Sequence, residues 1–187
     1  MAVEREITFV SGNKNKAEQV GRYLHLPLAY ERLSIAELQS LDPLEVVLQK
    51  ALEAHKQVGK PVLVDDTSLT FTALGRLPGT LIDHFLQELG NEGLCRLLDT
   101  YSNRSATATA ALGYHDGKEV IVFSASIQGV IADKPRGENG YGWDAIFIPE
   151  GYEKTRGEMI DGQERDNTSV RKKSIEKLEE YFDSRKE

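Results

Sequence analysis

The sequence has little that would support a disulfide, a membrane span or secretion. Its 187 residues include one cysteine, Cys95, so no disulfide can form within the chain. Cys95 lies among leucines of a predicted helix, where a buried, unreactive thiol is expected. No run approaches the roughly 18 apolar residues of a membrane span, and the first ten residues carry acids where a signal peptide is basic. We therefore expect a cytoplasmic protein that does not bind membranes.

The motifs of serine and zinc hydrolases are also missing. The four histidines form no metal-spaced pair, and the chain has no Gly-x-Ser-x-Gly motif. A formal net charge of -7 disfavours a nucleic-acid-binding surface. These absences argue against zinc or serine hydrolysis and against a nucleic acid partner.

The residues that are present predict one α/β domain over residues 1–187. With 40% hydrophobic and 28% charged residues, the chain can bury one substantial core. Strand and helix patterns alternate, and the strands on either side of His115-Asp116-Gly117 form a predicted hairpin that adds an antiparallel pair, so the sheet should be mixed. The fold we expect is a long twisted mixed β-sheet flanked by helices, in two lobes around a central cleft. Strands are predicted at Ile7–Val10, Leu28–Leu33, Val62–Val64, Ser105–Tyr114, Lys118–Ile131 and Ala145–Ile148, with an extended stretch at Thr70–Ala73. Helices are predicted at Lys14–Leu24, from Pro43 to before Gly59, at Leu81–Leu89 and Glu92–Tyr101, and from Asp166 onward.

Two adjacent acids follow the apolar run Val62–Val64. Asp65 and Asp66 stand where this predicted central strand ends. Like charges at the edge of a low-dielectric interior need a cation, a donor or a proton beside them, and a divalent metal is one such partner. An ordinary solvated turn is the alternative, because acids often close a strand.

The turn after the first strand has the features of an anion site. Ser11-Gly12-Asn13 precedes a helix whose first turn contains Lys14 and Lys16. A helix N-terminus presents free N–H groups and the positive end of the dipole, and these side chains add donors and charge. Phosphate is the candidate ligand. The Walker motif is absent, and an ordinary Gly-Asn turn is the alternative.

Two basic residues stand beside apolar helix stripes. The stripe after Asp42-Pro43 consists of Leu44, Val47, Leu48, Ala51 and Leu52. Lys50 lies to its side, where a solvated lysine is the default and a reach toward the cleft is the alternative. Arg171 heads the stripe of the terminal helix, so its guanidinium needs a buried partner, either structural or in a ligand.

The segment Gly137–Asp144 combines three glycines, two aromatic residues and two acids. Glycines let a backbone pass close to a ligand, and aromatic rings offer faces on which a planar base can stack. The segment is therefore a candidate wall of a nucleotide site. A glycine-rich turn whose aromatic residues cap the core is the alternative.

Three of these segments together resemble the motifs of the inosine triphosphate pyrophosphatase family. Residues 9–16 (FVSGNKNK) resemble the family's Thr-Gly-Asn-x-x-Lys, and residues 62–69 (VLVDDTSL) match its acidic motif. Residues 140–144 (GYGWD) resemble its aromatic-Gly-aromatic-Asp segment. The order and spacing of the three motifs extend the resemblance over nearly the whole chain.

The resemblance implies hydrolysis of a nucleoside triphosphate, such as the deaminated purines ITP, dITP and XTP, to the monophosphate and pyrophosphate. It also implies a Mg²⁺ cofactor and a homodimer. Asp66 would be the base or orient the water, and it would hold magnesium together with Glu37; Asp65 stands where the family has Asp or Glu. The implied triphosphate-binding residues are Ser11, Gly12, Asn13, Lys14, Asn15, Lys16 and Lys50. The other implied substrate-binding residues are Thr67, Tyr141, Gly142, Trp143, Asp144, Arg165 and Arg171.

One residue departs from the family pattern in a way that matters. The chain has Ser169-Val170-Arg171 where the family reads Ser-His-Arg, and the His-Arg pair is associated with recognising a 6-oxo purine. Because valine cannot donate a hydrogen bond, base discrimination is the property most affected. The Ser11 and Arg165 replacements keep a hydroxyl and a cation.

Two other functions fit the same residues. A phosphatase that removes the terminal phosphate would use the same anion-binding groups. A non-catalytic nucleotide-binding module is conceivable because Val170 has replaced a family residue. The product distinguishes them, since the first releases orthophosphate and the second releases nothing.

Overall fold

The computed structural model describes residues 6–185. Within them the strands are β1 Ile7–Val10, β2 Leu28–Glu31, β3 Val62–Phe71, β4 Pro78–Gly79, β5 Ser105–His115, β6 Val120–Ile131 and β7 Phe147–Pro149. The helices are α1 Lys14–Tyr23, α2 Pro43–Val58, α3 Ile82–Arg96, α4 Gln163–Asn167 and α5 Val170–Asp183. No helix in this range is both long and apolar enough to cross a membrane.

The strands form a mixed sheet in the order β2-β1-β3-β5-β6-β7, with β4 paired to β3. β1 is parallel to both β2 and β3. β3 and β4 are antiparallel, as are β6 and β7. The expected α/β fold with a mixed sheet and flanking helices is therefore confirmed.

The described residues divide into two compact units, and strands β3, β5 and β6 contribute to both. The first unit comprises residues 6–66, 110–125 and 171–185, and the second comprises 67–109 and 126–170. The arrangement of two lobes around a cleft stays a prediction.

The first unit buries both faces of its part of the sheet. On one face the core includes Phe9, Leu63 and Tyr114 of the strands, Val20 of α1, and Ile175, Leu178 and Phe182 of α5. On the other face it includes Val10, Val62, Val64 and Ala111 of the strands and Val47, Ala51 and Ala54 of α2. α1 and α5 thus cover one face, and α2 covers the other.

α2 begins and ends as expected, but the expected stripe is partly wrong. The Asp42 side chain accepts from the Leu44 N–H at the start, and Gly59 ends the helix with φ 70°. Leu44, Leu48 and Leu52 are each more than a third exposed. The reason lies in β5: a Cβ on Gly113 would lie 2.5 Å from the Val47 carbonyl oxygen. The strand therefore approaches α2 so closely that the helix contacts it through small side chains.

The second unit confirms two expectations about α3. Gly90, with φ 64° and ψ 177°, interrupts the helix where two helices were expected to meet. Cys95 is buried, and burial raises the pKa of its thiol to about 11. A thiol with this pKa stays protonated at neutral pH and is unreactive, as expected.

Two element boundaries differ from expectation. β3 continues through Asp65 and Asp66 to Phe71, where a 3-10 turn at Thr72–Leu74 begins, so the two acids lie inside the strand. Asp is a poor strand former, and ion pairs described below compensate for it. Near the C-terminus, residues 166 and 167 belong to the separate short helix α4, and α5 starts only at Val170.

A stacked histidine pair joins α2 to the end of β5. The rings of His55 and His115 lie 3.8 Å apart with an interplanar angle of 11°. His115 Nδ1 accepts from the Gly117 N–H at 3.0 Å, and His55 Nδ1 donates to the Lys60 carbonyl oxygen at 2.8 Å. The pKa of His115 is lowered, mainly by burial and to a smaller extent by His55, whereas the nearby Asp116 acts to raise it.

This pair makes the stability of the fold sensitive to acid. Because the pKa of His115 is lower in the folded state, its contribution to stability is present above the unfolded value of about 6.5 and is lost as the pH falls below it. His115→Asn keeps an acceptor near Gly117 but cannot titrate. We expect the midpoint of thermal unfolding to drop less for this variant than for the natural chain between about pH 7.5 and 5.5. An equal drop in both proteins would contradict the assignment.

Candidate active site

The two acids of β3 face opposite sides of the sheet. Successive side chains of a strand alternate between its faces, and Leu63 belongs to the α1–α5 side whereas Val62 and Val64 belong to the α2 side. Asp65 therefore points toward α1 and α5, and Asp66 toward α2. The expectation that the strand ends at these acids is wrong, and each carboxylate has its own surroundings.

Asp65 is the centre of a buried ion-pair network. Its Oδ2 accepts from Arg171 Nε at 2.9 Å, and its Oδ1 lies 3.8 Å from Lys16 Nζ. Lys50 Nζ donates to the Asp65 backbone carbonyl oxygen at 3.2 Å, and Arg171 also donates to Gln19 Oε1. Burial alone would raise the pKa of Asp65, but Lys16, Arg171 and Lys50 together hold it below its usual value. Asp65 is therefore an anion whose charge is matched within the protein.

Asp66 is in the opposite situation. Burial raises its pKa to about 6; Lys16 and Lys50 act against the increase, whereas Asp65 and Glu37 add to it. Within residues 6–185 its Oδ2 is buried without a hydrogen-bond partner; Asp65 Oδ1 also lacks one but lies 3.8 Å from the Lys16 cation. A buried carboxylate oxygen without a partner, on a group that exchanges a proton near neutrality, is suited to bind a cation or a water.

Lys50 is buried, so the default expectation of a solvated side chain is wrong. Its relative exposure is 8%, and its Nζ lies 2.5 Å from Glu37 Oε1, a carboxylate on a half-exposed side chain. The partner of Lys50 is thus one of the two predicted metal ligands. Lys50 lies on the buried side of α2 together with Val47 and Ala51.

The chemistry of Glu37 and Asp66 fits a hard divalent cation. Both offer carboxylate oxygens, which Mg²⁺ prefers, and the unpartnered Asp66 Oδ2 leaves a buried negative charge to be neutralised. Among residues 6–185 no group of three or more His, Cys, Asp or Glu side chains could hold a metal ion. Mg²⁺ with few protein ligands fits this arrangement, because it usually keeps several waters and shares its remaining ligands with substrate phosphates.

The predicted phosphate-binding turn is ordered and borders an open cavity. Ser11 Oγ accepts from the Asn13 N–H at 3.1 Å, and Asn13 Oδ1 caps α1 by accepting from the Asn15 N–H at 3.0 Å. The cavity has a volume of about 570 Å³, and its lining residues are Gly12, Asn13, Lys14, Tyr30 and Arg32. Lys14 is exposed and 3.5 Å from Glu18, whereas Lys16 is buried. The cavity is therefore lined by two basic residues, Lys14 and Arg32, which suits an anion such as a triphosphate.

The aromatic segment of the second unit is held at several points. Asn91 Nδ2 on α3 donates to the Gly142 carbonyl oxygen at 3.0 Å, and the Trp143 ring meets Phe147 edge-on at 5.6 Å. Asp144 is buried, and its Oδ2 accepts a hydrogen bond from Arg165 Nη2 at 2.7 Å. Tyr141 and Trp143 are half-buried, as is Thr67 on β3. The edge-on contact of half-buried Trp143 with the buried Phe147 fits the alternative of a turn whose aromatic residues cap the core, so the nucleotide wall stays a prediction.

The structure thus groups the predicted residues into two sets, one in each unit. The first set consists of Lys16, Glu37, Lys50, Asp65, Asp66 and Arg171, and the second of Asp144 and Arg165. Sequence reasoning missed Gln19, which accepts from Arg171, and Arg156, which donates to Asp144 at 2.8 Å. Gln19 falls one turn after Lys16 and could have been found from helix spacing, but Arg156 lies in an aperiodic loop that gives no such signal.

Comparison with known proteins shows close relatives over the whole chain. The sequence model of the Ham1 family matches residues 7–181. Inosine triphosphate pyrophosphatase of Yarrowia lipolytica is 39% identical over 181 residues, covering 94% of this chain and 95% of that protein. Inosine triphosphate pyrophosphatase 2 of Trypanosoma cruzi is 38% identical over 181 residues, covering 95% and 92%. A solved HAM1 protein from Coxiella burnetii matches with a TM-score of 0.83 at 26% identity, covering 96% of this chain and 98% of that one.

Proposed function

The chain belongs to the Ham1 family, and from this premise we propose that it hydrolyses nucleoside triphosphates to nucleoside monophosphates and pyrophosphate. The observation that supports this most directly is Asp66, a buried carboxylate with a pKa of about 6 and an unpartnered oxygen, near the cations of Lys16 and Lys50. Relatives named inosine triphosphate pyrophosphatase match nearly the full chain, which supports deaminated purines such as ITP, dITP and XTP as substrates.

The residues of the first unit would bind the triphosphate. The helix N-terminus and the turn from Ser11 to Lys16 offer N–H donors and positive charge, and Lys50 adds a buried cation. Phosphoryl-transfer catalysis depends mainly on positioning and charge neutralisation, so these groups suffice without a protein nucleophile. Glu37 and Asp66 would hold a divalent ion, which we propose is Mg²⁺. When bound, this ion would neutralise charge that develops on the phosphate oxygens.

Asp66 would act on the attacking water. In the proposed reaction the water oxygen forms a bond to the α-phosphorus while the bond to the bridging oxygen of the β-phosphate breaks. Pyrophosphate leaves with that electron pair, and the water's proton passes to the Asp66 carboxylate. Without a bound ion, burial raises the pKa of Asp66 to about 6, so its carboxylate is mostly ionised at neutral pH and can accept a proton.

The nucleoside would be bound by a different set of residues. Tyr141 and Trp143 offer ring faces on which a base can stack. Gly142 lies between them with φ 65°, and because it has no side chain a ligand can approach its backbone closely. Thr67 and Arg171 are proposed to contribute polar contacts to the nucleoside. Homodimer formation remains a proposal that rests on the family resemblance, and a cytoplasmic location remains a proposal that rests on the sequence.

A panel of nucleoside triphosphates, assayed separately for pyrophosphate and orthophosphate, tests the proposed function. We expect pyrophosphate and the monophosphate in equal amounts, and no orthophosphate unless a pyrophosphatase is added. Release of orthophosphate alone would identify a phosphatase instead. Binding of nucleotide with Mg²⁺ and no product after long incubation would identify a non-catalytic module.

The same panel tests the role of Val170, a buried residue at the start of α5. Because valine cannot donate a hydrogen bond to the base, we expect weak discrimination between deaminated and standard purines. Val170→His should increase the ratio of kcat/KM for ITP to that for ATP by about tenfold or more. Equal preference for deaminated purines in both proteins would show that position 170 does not set base preference.

A further inference from the structure

Asp144 lies between two buried guanidinium groups in the second unit. Arg156 Nε donates to its Oδ1 at 2.8 Å, and Arg165 Nη2 donates to its Oδ2 at 2.7 Å. All three residues are at most 8% exposed. Each carboxylate oxygen is therefore already engaged by a charge-assisted hydrogen bond, the strongest class of hydrogen bond in proteins.

Each of the two arginines also donates to the backbone carbonyl oxygen of the other. Arg156 Nη1 donates to Thr168 Oγ1 at 2.6 Å and to the Arg165 carbonyl oxygen at 3.1 Å. Arg165 Nη1 donates to the Arg156 carbonyl oxygen at 2.5 Å. The Arg156–Asp144–Arg165 clamp thus joins the loop around Arg156, helix α4 and the aromatic segment 140–144.

The clamp leaves little space around it. Gly140 has φ +81°, and a Cβ there would lie 2.0 Å from Arg165 Nη2 and 2.1 Å from Asp144 Oδ2. The Tyr141 N–H donates to Asp144 Oδ2 at 3.3 Å, and the Gly142 carbonyl oxygen is bound by Asn91. The backbone that carries Tyr141 and Trp143 is therefore anchored through Asp144 on one side and through α3 on the other.

We propose that Arg156 is a positioning residue: through Asp144 it fixes the segment carrying Tyr141 and Trp143, and Asp144 acts as part of this clamp and not as an acceptor for the base. The inference rests on the proposed function, because it assigns the segment to nucleoside binding. Arg156 itself contacts protein groups that have no part in the hydrolysis step. Its loss should weaken binding of the nucleoside and leave the chemical step unchanged.

Trp143 fluorescence tests the structural part of the proposal without any turnover. Trp143 is the only tryptophan of the chain, so its emission reports on this segment alone. In the nucleotide-free protein, Arg156→Met should shift the emission to longer wavelength and increase quenching by acrylamide. Arg136→Met is the matched control, because Arg136 also donates to a backbone carbonyl in this unit but does not contact Asp144. Unchanged emission in a folded Arg156→Met protein would overturn the proposal.

Kinetics test the functional part. Arg156→Met should raise KM for ITP about tenfold with kcat changed less than about twofold, because binding and not the chemical step is affected. The inhibition constant of inorganic tripolyphosphate, which has no nucleoside, should stay the same. Asp144→Asn should raise KM for ITP and ATP by the same factor, and the Arg156→Met/Asp144→Asn double variant should be no worse than the single ones. Additive effects would show that Arg156 and Asp144 act independently. A change in the ITP/ATP ratio of KM on Asp144→Asn would show that Asp144 contacts the base. Either result would overturn the proposal.

The two arms separate failure of this inference from failure of the proposed function. If the natural protein hydrolyses no nucleotide but Arg156→Met alters Trp143 emission, the clamp stands and the proposed function fails. Should Arg156→Met not fold by circular dichroism, Arg156→Lys replaces it, since lysine keeps the cation but cannot make all three contacts. An emission spectrum of Arg156→Lys identical to that of the natural protein would count against the clamp.

Discussion

Replacing Asp66 with Asn should lower kcat by about 1,000-fold or more while the protein remains folded, since positioned general bases contribute about 100- to 10,000-fold and this residue is also a proposed metal ligand. Asn keeps the size and an oxygen of the side chain but carries no charge and cannot accept a proton. Asp66 Oδ2 accepts no hydrogen bond within residues 6–185, so replacing this oxygen removes no internal hydrogen bond. The measurement is pyrophosphate release from ITP at saturating Mg²⁺.

The same substitution should stabilise the fold, which separates a catalytic role from a structural one. Because burial raises the pKa of Asp66 from 3.8 to about 6, ionisation is unfavourable in the folded state. That cost is fully present above about pH 6 and absent below the pKa of Asp in the unfolded chain. Asp66→Asn should therefore raise the free energy of unfolding by up to about 3 kcal/mol at pH 8 and leave it unchanged near pH 3. The test is urea unfolding with a metal chelator present.

Asp116→Asn is the control for the activity measurement. Asp116 lies in the turn between β5 and β6, where its Oδ1 accepts from the Lys118 and Glu119 N–H groups, and Asn can replace it there. This variant should retain normal activity. If Asp66→Asn kept near-normal turnover, or if both variants lost activity equally, Asp66 would not be the reacting base.

Much of the fold follows from local patterns in the sequence. The cap at Asp42-Pro43, the break at Gly90 and the β5–β6 pair all occur where side-chain chemistry predicts them. These features depend on a few neighbouring residues, which is why periodicity and breaker residues suffice to find them. The mixed sheet then follows from the predicted hairpin, which adds an antiparallel pair to strands that alternate with helices.

The failures arise where tertiary contacts decide. Val62–Val64 looks like a complete strand, but β3 continues because Asp65 finds partners on α1 and α5 that are distant in sequence. Lys50 looks like a surface residue, but it is buried and its Nζ donates to Glu37 Oε1 and to the Asp65 carbonyl oxygen. Arg156 belongs to a clamp whose members are at least nine residues apart and follow no period. Propensity alone cannot reveal such contacts.

The opposite surroundings of the two β3 acids lead to a second large effect. Asp65→Asn should destabilise the protein by about 3–5 kcal/mol, because removing one member of a buried ion-pair network leaves the remaining charges uncompensated. Here the Lys16 and Arg171 cations would lose the carboxylate that lies 3.8 and 2.9 Å from them. For a chain of this length the midpoint of thermal unfolding should fall by roughly 6–20 °C.

The pH dependence distinguishes Asp65 from Asp66. Lys16, Arg171 and Lys50 keep the pKa of Asp65 below its usual value despite burial, so its contribution is present above the unfolded value of about 3.9 and is lost as the pH falls further. The destabilisation by Asp65→Asn should therefore be full at pH 7 and shrink below about pH 4. Asp66→Asn should stabilise at pH 7 in the same assay. If both substitutions changed stability in the same direction, the assignment of one acid to the ion-pair network and the other to the reaction would be wrong.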